Sequence, residues 1–181
     1  MEVGDGRLTA ATFEELAMPL FDQLYNFACW LTHDPTEAED LVQETYAKAL
    51  RGFSSFQPGT NFRAWIYRIL RNTFLTSRTG LKATAMVPLD AEDADELPAG
   101  PETPETVFIS NSEHQLLQEA LQALSVHFRE ILLLCETEEM SYQEISETLS
   151  IPIGTVMSRL SRARKALREI LQPKLARAPH G

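Results

Sequence analysis

Two groups of side chains in this chain have the types and spacing for chemistry on nucleic acid. The first is Thr155, Ser158, Ser161, Arg162 and Lys165, flanked by Arg159, Arg164 and Arg168. Hydroxyls and guanidinium groups in one row suit phosphate oxygens and base edges, and an arginine can pair two-pronged with guanine. The second is Arg63, Trp65, Arg68, Arg71 and Asn72, preceded by Phe53 and Phe56, with no acid anywhere in residues 51–82. Rings interleaved with arginines suit an unpaired strand, because bases stack on rings for about 1–3 kcal/mol each while cations hold the phosphates. A third group, Glu37, Asp40, Leu41, Gln43 and Glu44, is acidic and suits a partner instead. Each group has a plainer reading as well: a charged helix face is commonly just solvated, and Trp65 and Tyr67 serve equally well as core residues.

The elements that must position these groups can be read from local signals. Within residues 140–171, Ser141 and Glu144 form a capping box, and Met140 can pack on Ile145 as a hydrophobic staple, so a helix starts at Tyr142. Ser150-Ile151-Pro152 stops it, because proline lacks a donor and biases its predecessor out of the helical region. A second helix restarts near Pro152, with Val156, Leu160, Ala163, Leu167 and Ile170 gathered on one buried stripe. Two short helices across a tight turn, the second with a cationic and hydroxyl-rich outer side, have the form of a DNA-binding helix-turn-helix over residues 141–168.

Upstream, Thr12 and Glu15 suggest a capping box before a helix with Leu16, Leu20, Leu24, Phe27 and Leu31 at helical spacing, which Pro19 either kinks or begins. Asp34-Pro35 caps and opens a second helix whose buried stripe is Ala38, Leu41, Val42, Thr45 and Ala49. Residues 51–60 read as a loop. Asn61 then caps a helix with Phe62, Ile66, Ile69 and Thr73 inward. Residues 106–135 carry two more helices, one with Leu116, Leu117, Ala120, Leu121 and Leu124, the next restarting at Ser125 with Phe128, Ile131, Leu132 and Leu134. No strand-like alternation appears, so the expected fold is all-α: two small helical domains, 1–78 and 106–173, joined by a linker over 79–105, with a frayed tail at 174–181.

Charge is blocked along the 181 residues. The formal net charge is −10, yet residues 51–82 hold six bases and no acid, and residues 152–181 hold seven bases against Glu169 alone. Residues 83–151 hold fifteen acids against Arg129. With screening over about 8 Å at physiological salt, each block acts on its own neighbourhood. The proline-rich acidic stretch 80–104 is expected to be an extended, self-repelling linker. Cys29 and Cys135 lie far apart on apolar faces with no CxxC, which fits buried thiols in a reducing cytoplasm. Nothing approaches the roughly 18 apolar residues of a membrane span, and MEVGDGRLTA lacks a signal-peptide pattern, so no membrane insertion is expected. Four scattered histidines, no nucleophile-base pairing and no phosphate-cradling glycine loop argue against an enzyme. No cofactor and no metal are expected.

The segments AEDLVQETYAKAL, then F-x-PG-x-NFRAWIYRILRNTF, then SYQEISETLSIPIGTVMSRLSRARKALRE, in that order across a linker, resemble the extracytoplasmic-function sigma factors of bacteria, within the sigma-70 superfamily. The resemblance covers nearly the whole chain. It implies a melting domain (region two) and an upstream-element domain (region four), with bacterial core RNA polymerase, promoter DNA and an anti-sigma factor as partners. It further implies that Glu37, Asp40, Leu41, Gln43 and Glu44 dock on polymerase. Phe53, Phe56, Asn61, Arg63, Trp65, Arg68, Arg71 and Asn72 would handle the unpaired minus-ten strand, and Thr155, Ser158, Arg159, Ser161, Arg162 and Lys165 would read the minus-thirty-five duplex. LTSRTGLKA, after the third helix, is less basic than members often are. Two other classes fit parts of the pattern: a self-sufficient helix-turn-helix regulator, which leaves the Trp/Arg helix and the acidic helix without a task, and a sigma-like decoy for an anti-sigma protein, which leaves both basic segments without one.

Overall fold

The structure, a computed structural model, describes residues 13–79 and 112–177. The Thr12 half of the first capping box, the linker at 80–105, the domain start near 106 and the last four residues lie outside the described residues. Among the described residues every regular element is helical, and the chain divides into two compact units.

In the first unit a helical turn at residues 13–17 passes through a 3-10 turn, Met18–Leu20, into α1 (Phe21–Thr32). Pro19 therefore both bends the chain and precedes the regular helix. Leu16, expected inward, is exposed; Phe13 and Ala17 are buried in its place. The helix stops at His33, whose left-handed backbone lets its N–H reach the Cys29 carbonyl at 2.8 Å. One residue on, Asp34 Oδ1 accepts the Thr36 and Glu37 amides at 2.8 and 3.2 Å and so starts α2 (Pro35–Gly52). All five stripe residues of α2 are buried, and the Thr45 hydroxyl is satisfied by the Leu41 carbonyl at 2.7 Å.

Helices α1 and α3 (Phe62–Thr79) both pack on α2. The inward side of α3 is Phe62, Ala64, Ile66, Tyr67, Leu70, Thr73 and Phe74, while Ile69 is only half-buried. Tyr67 is wholly buried, with its ring 5.3 Å from that of Phe27, so of the two aromatics with an open reading this one belongs to the core. Tyr46 ties the leading turn down through a 2.6 Å bond from its hydroxyl to the Ala17 carbonyl.

Downstream lie α4 (Ser112–Ala123), α5 (Val126–Leu132), α6 (Tyr142–Leu149) and α7 (Ile153–Arg177), of which α4, α5, α7 and residues 142–146 of α6 make up the second unit. Ala120, Leu121 and Leu124 are buried, while Leu116 is half-buried and Leu117 exposed. Ser125 caps α5, as its spacing predicts. Arg129 is 5% exposed. Its guanidinium donates to the carbonyls of Leu121, Gln122 and Leu124 at 2.8, 3.0 and 3.2 Å, satisfying acceptors that the end of α4 leaves open. Beyond Leu132 the helix widens into one π turn, Leu133–Thr137, closed by the Glu138 amide on the Leu133 carbonyl at 3.0 Å.

The capping box of Ser141 and Glu144 is complete in both directions, 3.1 and 2.9 Å, and Met140 and Ile145 are both buried. Ser150 takes a left-handed conformation and ends α6. Helix α7 packs against α4 and α5. It runs on through Pro173 to Arg177, past the point where fraying was expected. An interior proline costs about 3 kcal/mol by itself; just beyond it Lys174 pairs with Glu119 of α4 at 3.0 Å, a partly exposed contact worth about 1 kcal/mol or less.

Candidate nucleic-acid interfaces

The first surface grows from the α2–α3 junction. Residues 51–60 are more ordered than a plain loop: α2 continues to Gly52, Phe53–Ser55 forms a 3-10 turn, and the Ser55 hydroxyl closes on the Gly52 carbonyl at 2.6 Å. Gly59, at φ 89°, supplies the left-handed step that lets the Thr60 amide and hydroxyl reach the Gln57 carbonyl at 3.2 and 2.6 Å. Asn61 then caps α3, its Oδ1 accepting the Ala64 amide at 3.1 Å. Behind this turn lie five rings. Phe53 and Phe56 stack at 5.9 Å, Phe56 and Trp65 sit at 5.2 Å, Phe62 and Trp65 at 5.5 Å, and Phe13 meets Phe53 edge-on at 5.2 Å.

Residues 57–60 stay exposed in front of these rings, while Phe53, Phe56 and Trp65 are half-buried. The phenylalanines therefore present edges and one another, and they prop the turn up as much as they offer a platform. Phe13 was not anticipated as part of this cluster; a lone aromatic ahead of the first helical repeat carries no local signal for a partner forty residues away.

From Trp65 the surface continues along α3. Arg68 and Asn72 follow at three and four residues and share its stripe, with Arg71 beside them at 3.5 Å from Asn72. Arg63 lies roughly 160° around the helix from Trp65, and its guanidinium stacks over the Tyr67 ring at 5.7 Å. Trp65, Arg68 and Asn72 thus share one stripe of α3, Arg71 lies at its edge against Asn72, and Arg63 lies about 80° further round.

The second surface is the outer side of α7. Ser158, Ser161, Arg162 and Lys165 are exposed, Thr155 and Arg159 half-buried. Val156, Leu160 and Ala163 are essentially inaccessible. Arg164, on the flank, is a bracket: its Nη2 donates to Glu136 Oε1 at 2.7 Å and to Cys135 Sγ at 3.6 Å. That bond to Glu136 raises the arginine's already high pKa. The Cys135 thiol is pushed up chiefly by burial, then by the Glu136 charge, against the lowering pull of Arg164. Both cysteines are half-exposed, less covered than their apolar spacing suggests.

The acidic side of α2 is divided. Asp40, Gln43 and Glu44 are exposed, with Glu44 paired along the helix to Lys48 at 3.0 Å. Glu37 is held by Arg78 of α3 at 3.0 Å, and that guanidinium also sits 5.2 Å from the centre of the Phe74 ring. Leu41 is 5% exposed and supports the face from below. It has almost no surface to offer a partner directly.

The chain matches the families described as Sigma-70 region 2 over residues 16–84 and Sigma-70, region 4 over residues 114–167. It is 38% identical over 171 residues to the ECF RNA polymerase sigma factor SigE of Mycolicibacterium smegmatis, covering 89% of this chain and 65% of that protein. It is 33% identical over 175 residues to the RNA polymerase sigma-H factor of Pseudomonas aeruginosa, covering 92% of this chain and 89% of that one. Among solved structures it is similar to the sigma factor RpoE of Bartonella quintana in complex with the anti-sigma factor NepR, at TM-score 0.66 and 30% identity over 89% of this chain and 97% of that one. CnrH in complex with the cytosolic domain of CnrY shares the fold at TM-score 0.62 and 23% identity, over 92% of this chain and 97% of that one. The two basic surfaces and the acidic helix are thus parts of a chain that belongs to the extracytoplasmic-function branch of the sigma-70 family of RNA polymerase sigma factors.

Proposed function

We propose that this sigma factor divides promoter opening between its two units, with region 2 taking the unpaired strand and region 4 the duplex. Support for the first half is the stripe of Trp65, Arg68 and Asn72 with Arg71 beside it, on a helix without acids, next to an exposed turn propped by rings. Unstacking a promoter base costs a few kcal/mol. A base stacked on Trp65 and phosphates held by Arg68 and Arg71 offset that cost once polymerase holds the strand in place. Arg63, farther around the helix from Trp65, makes a separate contact with the strand. Asp40, Gln43 and Glu44 dock on the clamp of the large catalytic subunit of bacterial core polymerase, with Leu41 shaping the face from beneath. On α7, Thr155, Ser158, Arg159, Ser161, Arg162 and Lys165 meet the upstream duplex, Arg162 or Arg159 pairing with a guanine.

The chain acts by binding alone, in the cytoplasm at the nucleoid, and makes or breaks no bond. No helix among the described residues is long and apolar enough to cross a membrane. An anti-sigma protein is the expected regulator, a reading supported by the similarity to the Bartonella sigma factor in its NepR complex.

The observation that carries this reading is the pairing of two cationic surfaces, one ringed with aromatics and one not, with an acidic helix in the same chain. Run-off transcription with bacterial core polymerase and a promoter library, with permanganate footprinting of the bubble, tests it. Addition of the protein should confer start-site selection and thymine reactivity near minus ten. Failure to associate with core polymerase would overturn it.

A further inference from the structure

We propose that Met157 is a specificity residue that recognises a thymine methyl group in the upstream duplex; this rests on the reading of α7 as the duplex-contacting helix. Met157 is 54% exposed in the second turn of α7, and Ile153 one turn earlier is 41% exposed. The core of the second unit does not need this side chain, since Val156 and Leu160 on the buried stripe are 0% and 1% exposed.

Its surroundings open toward a partner. Gly154 carries no side chain, and a Cβ built there would meet nothing within 4 Å. Ser158 and Ser161 are short and exposed. The leading turns of α7 can therefore come close to a groove floor, with the flexible thioether of Met157 reaching further than its small neighbours. It is the N-terminal residues of a recognition helix that contact base edges. In the major groove the apolar feature of a base pair is the C5-methyl of thymine, while the other groups displayed there are donors and acceptors that a thioether serves poorly. An exposed methionine at this place thus favours a thymine.

The test uses the full-length protein with core polymerase and the duplex that this pair selects from a randomised promoter library. Each thymine of the upstream element is replaced in turn by deoxyuridine, which removes the methyl and nothing else. For the wild-type protein one replacement should weaken binding about fourfold, the worth of one buried methyl group. Met157→Ala should lose that sensitivity at the same position and keep an unchanged thermal melting curve, and Met157→Leu should retain it. A flat deoxyuridine scan alongside intact start-site selection would overturn the assignment to Met157 while leaving the division of labour standing. An equal penalty in wild type and Met157→Ala would overturn it too. Absence of start-site selection on every duplex would instead remove the reading on which the proposal rests.

Discussion

The two units present DNA-facing chemistry in opposite ways. In the first, the candidate strand-binding residues are intergrown with the packing: Trp65 touches three phenylalanine rings and stands two residues from the wholly buried Tyr67. In the second, the candidate reading residues stand out from α7 while a separate stripe does the packing. A rigid aromatic support suits a task that must hold a base against its tendency to restack, because a floppy platform would spend its stacking gain on ordering itself. A duplex is already ordered, so exposed side chains on a stiff helix suffice. The lesson is that function and stability should be hard to separate by mutation in region 2 and easy to separate in region 4.

The largest expected effect lies in the region 2 core. Tyr67→Ala should destabilise the first unit by about 3–5 kcal/mol through the lost ring and the cavity left behind. Both tryptophans, Trp30 and Trp65, lie in this unit, so urea unfolding followed by their fluorescence reports on it selectively. Next, Arg129→Ala should cost the second unit about 2–4 kcal/mol, because three carbonyls lose a buried charged donor; helical signal, not tryptophan emission, should show it.

Trp65→Ala and Arg162→Ala put the comparison to its sharpest test. Arg162→Ala should cost about 1–3 kcal/mol in duplex discrimination while moving stability by about 0.5 kcal/mol or less. Trp65→Ala should lower permanganate reactivity of the bubble and the urea midpoint together. Should Trp65→Ala spare stability, or Arg162→Ala unfold region 4, the contrast between the units would fail.

A smaller effect concerns Tyr46, whose phenol is pushed up to about 12, chiefly by burial and then by the Asp22 charge. The folded state holds this proton more tightly than the unfolded chain, where tyrosine titrates near 10. Its contribution is therefore complete below pH 10 and is lost as pH climbs from there through about 12. Urea midpoints measured across that window should fall for the wild type, and less steeply for Tyr46→Phe.

Much of this was legible in the sequence because it was local. The Asp34 cap, the Ser141 box, the stop at Ser150-Pro152 and all five stripe residues of α2 rest on neighbours within four positions, and each stands as expected. What escaped was long-range or against propensity. Phe13 finds Phe53 forty residues on; Glu37 is taken by Arg78 and Arg164 by Glu136, partners that no spacing rule links. The continuation of α7 beyond Pro173 runs against the usual reading of proline as a stop, and just past it Lys174 meets Glu119 of another helix. For the candidate site, the residue types were visible but their sharing of a surface was not: Leu41 carries the right chemistry in the pattern yet is 5% exposed, and Arg63 lies well around α3 from Trp65.

The π turn at Leu133–Thr137 is the closing turn of the helix that begins at Val126, and it holds one residue more than an α-helical turn would. Deleting a single residue there would tighten the turn to ordinary α-helical width and shorten by one position the path from Leu132 to the capping box at Ser141. Glu136 sits in that turn and holds Arg164 at 2.7 Å, so the width of the turn also sets the anchor for the flank of α7. That single surplus amino acid is a gauge setting, through which a change of chain length in one helix would be felt at the Arg164 bracket of another.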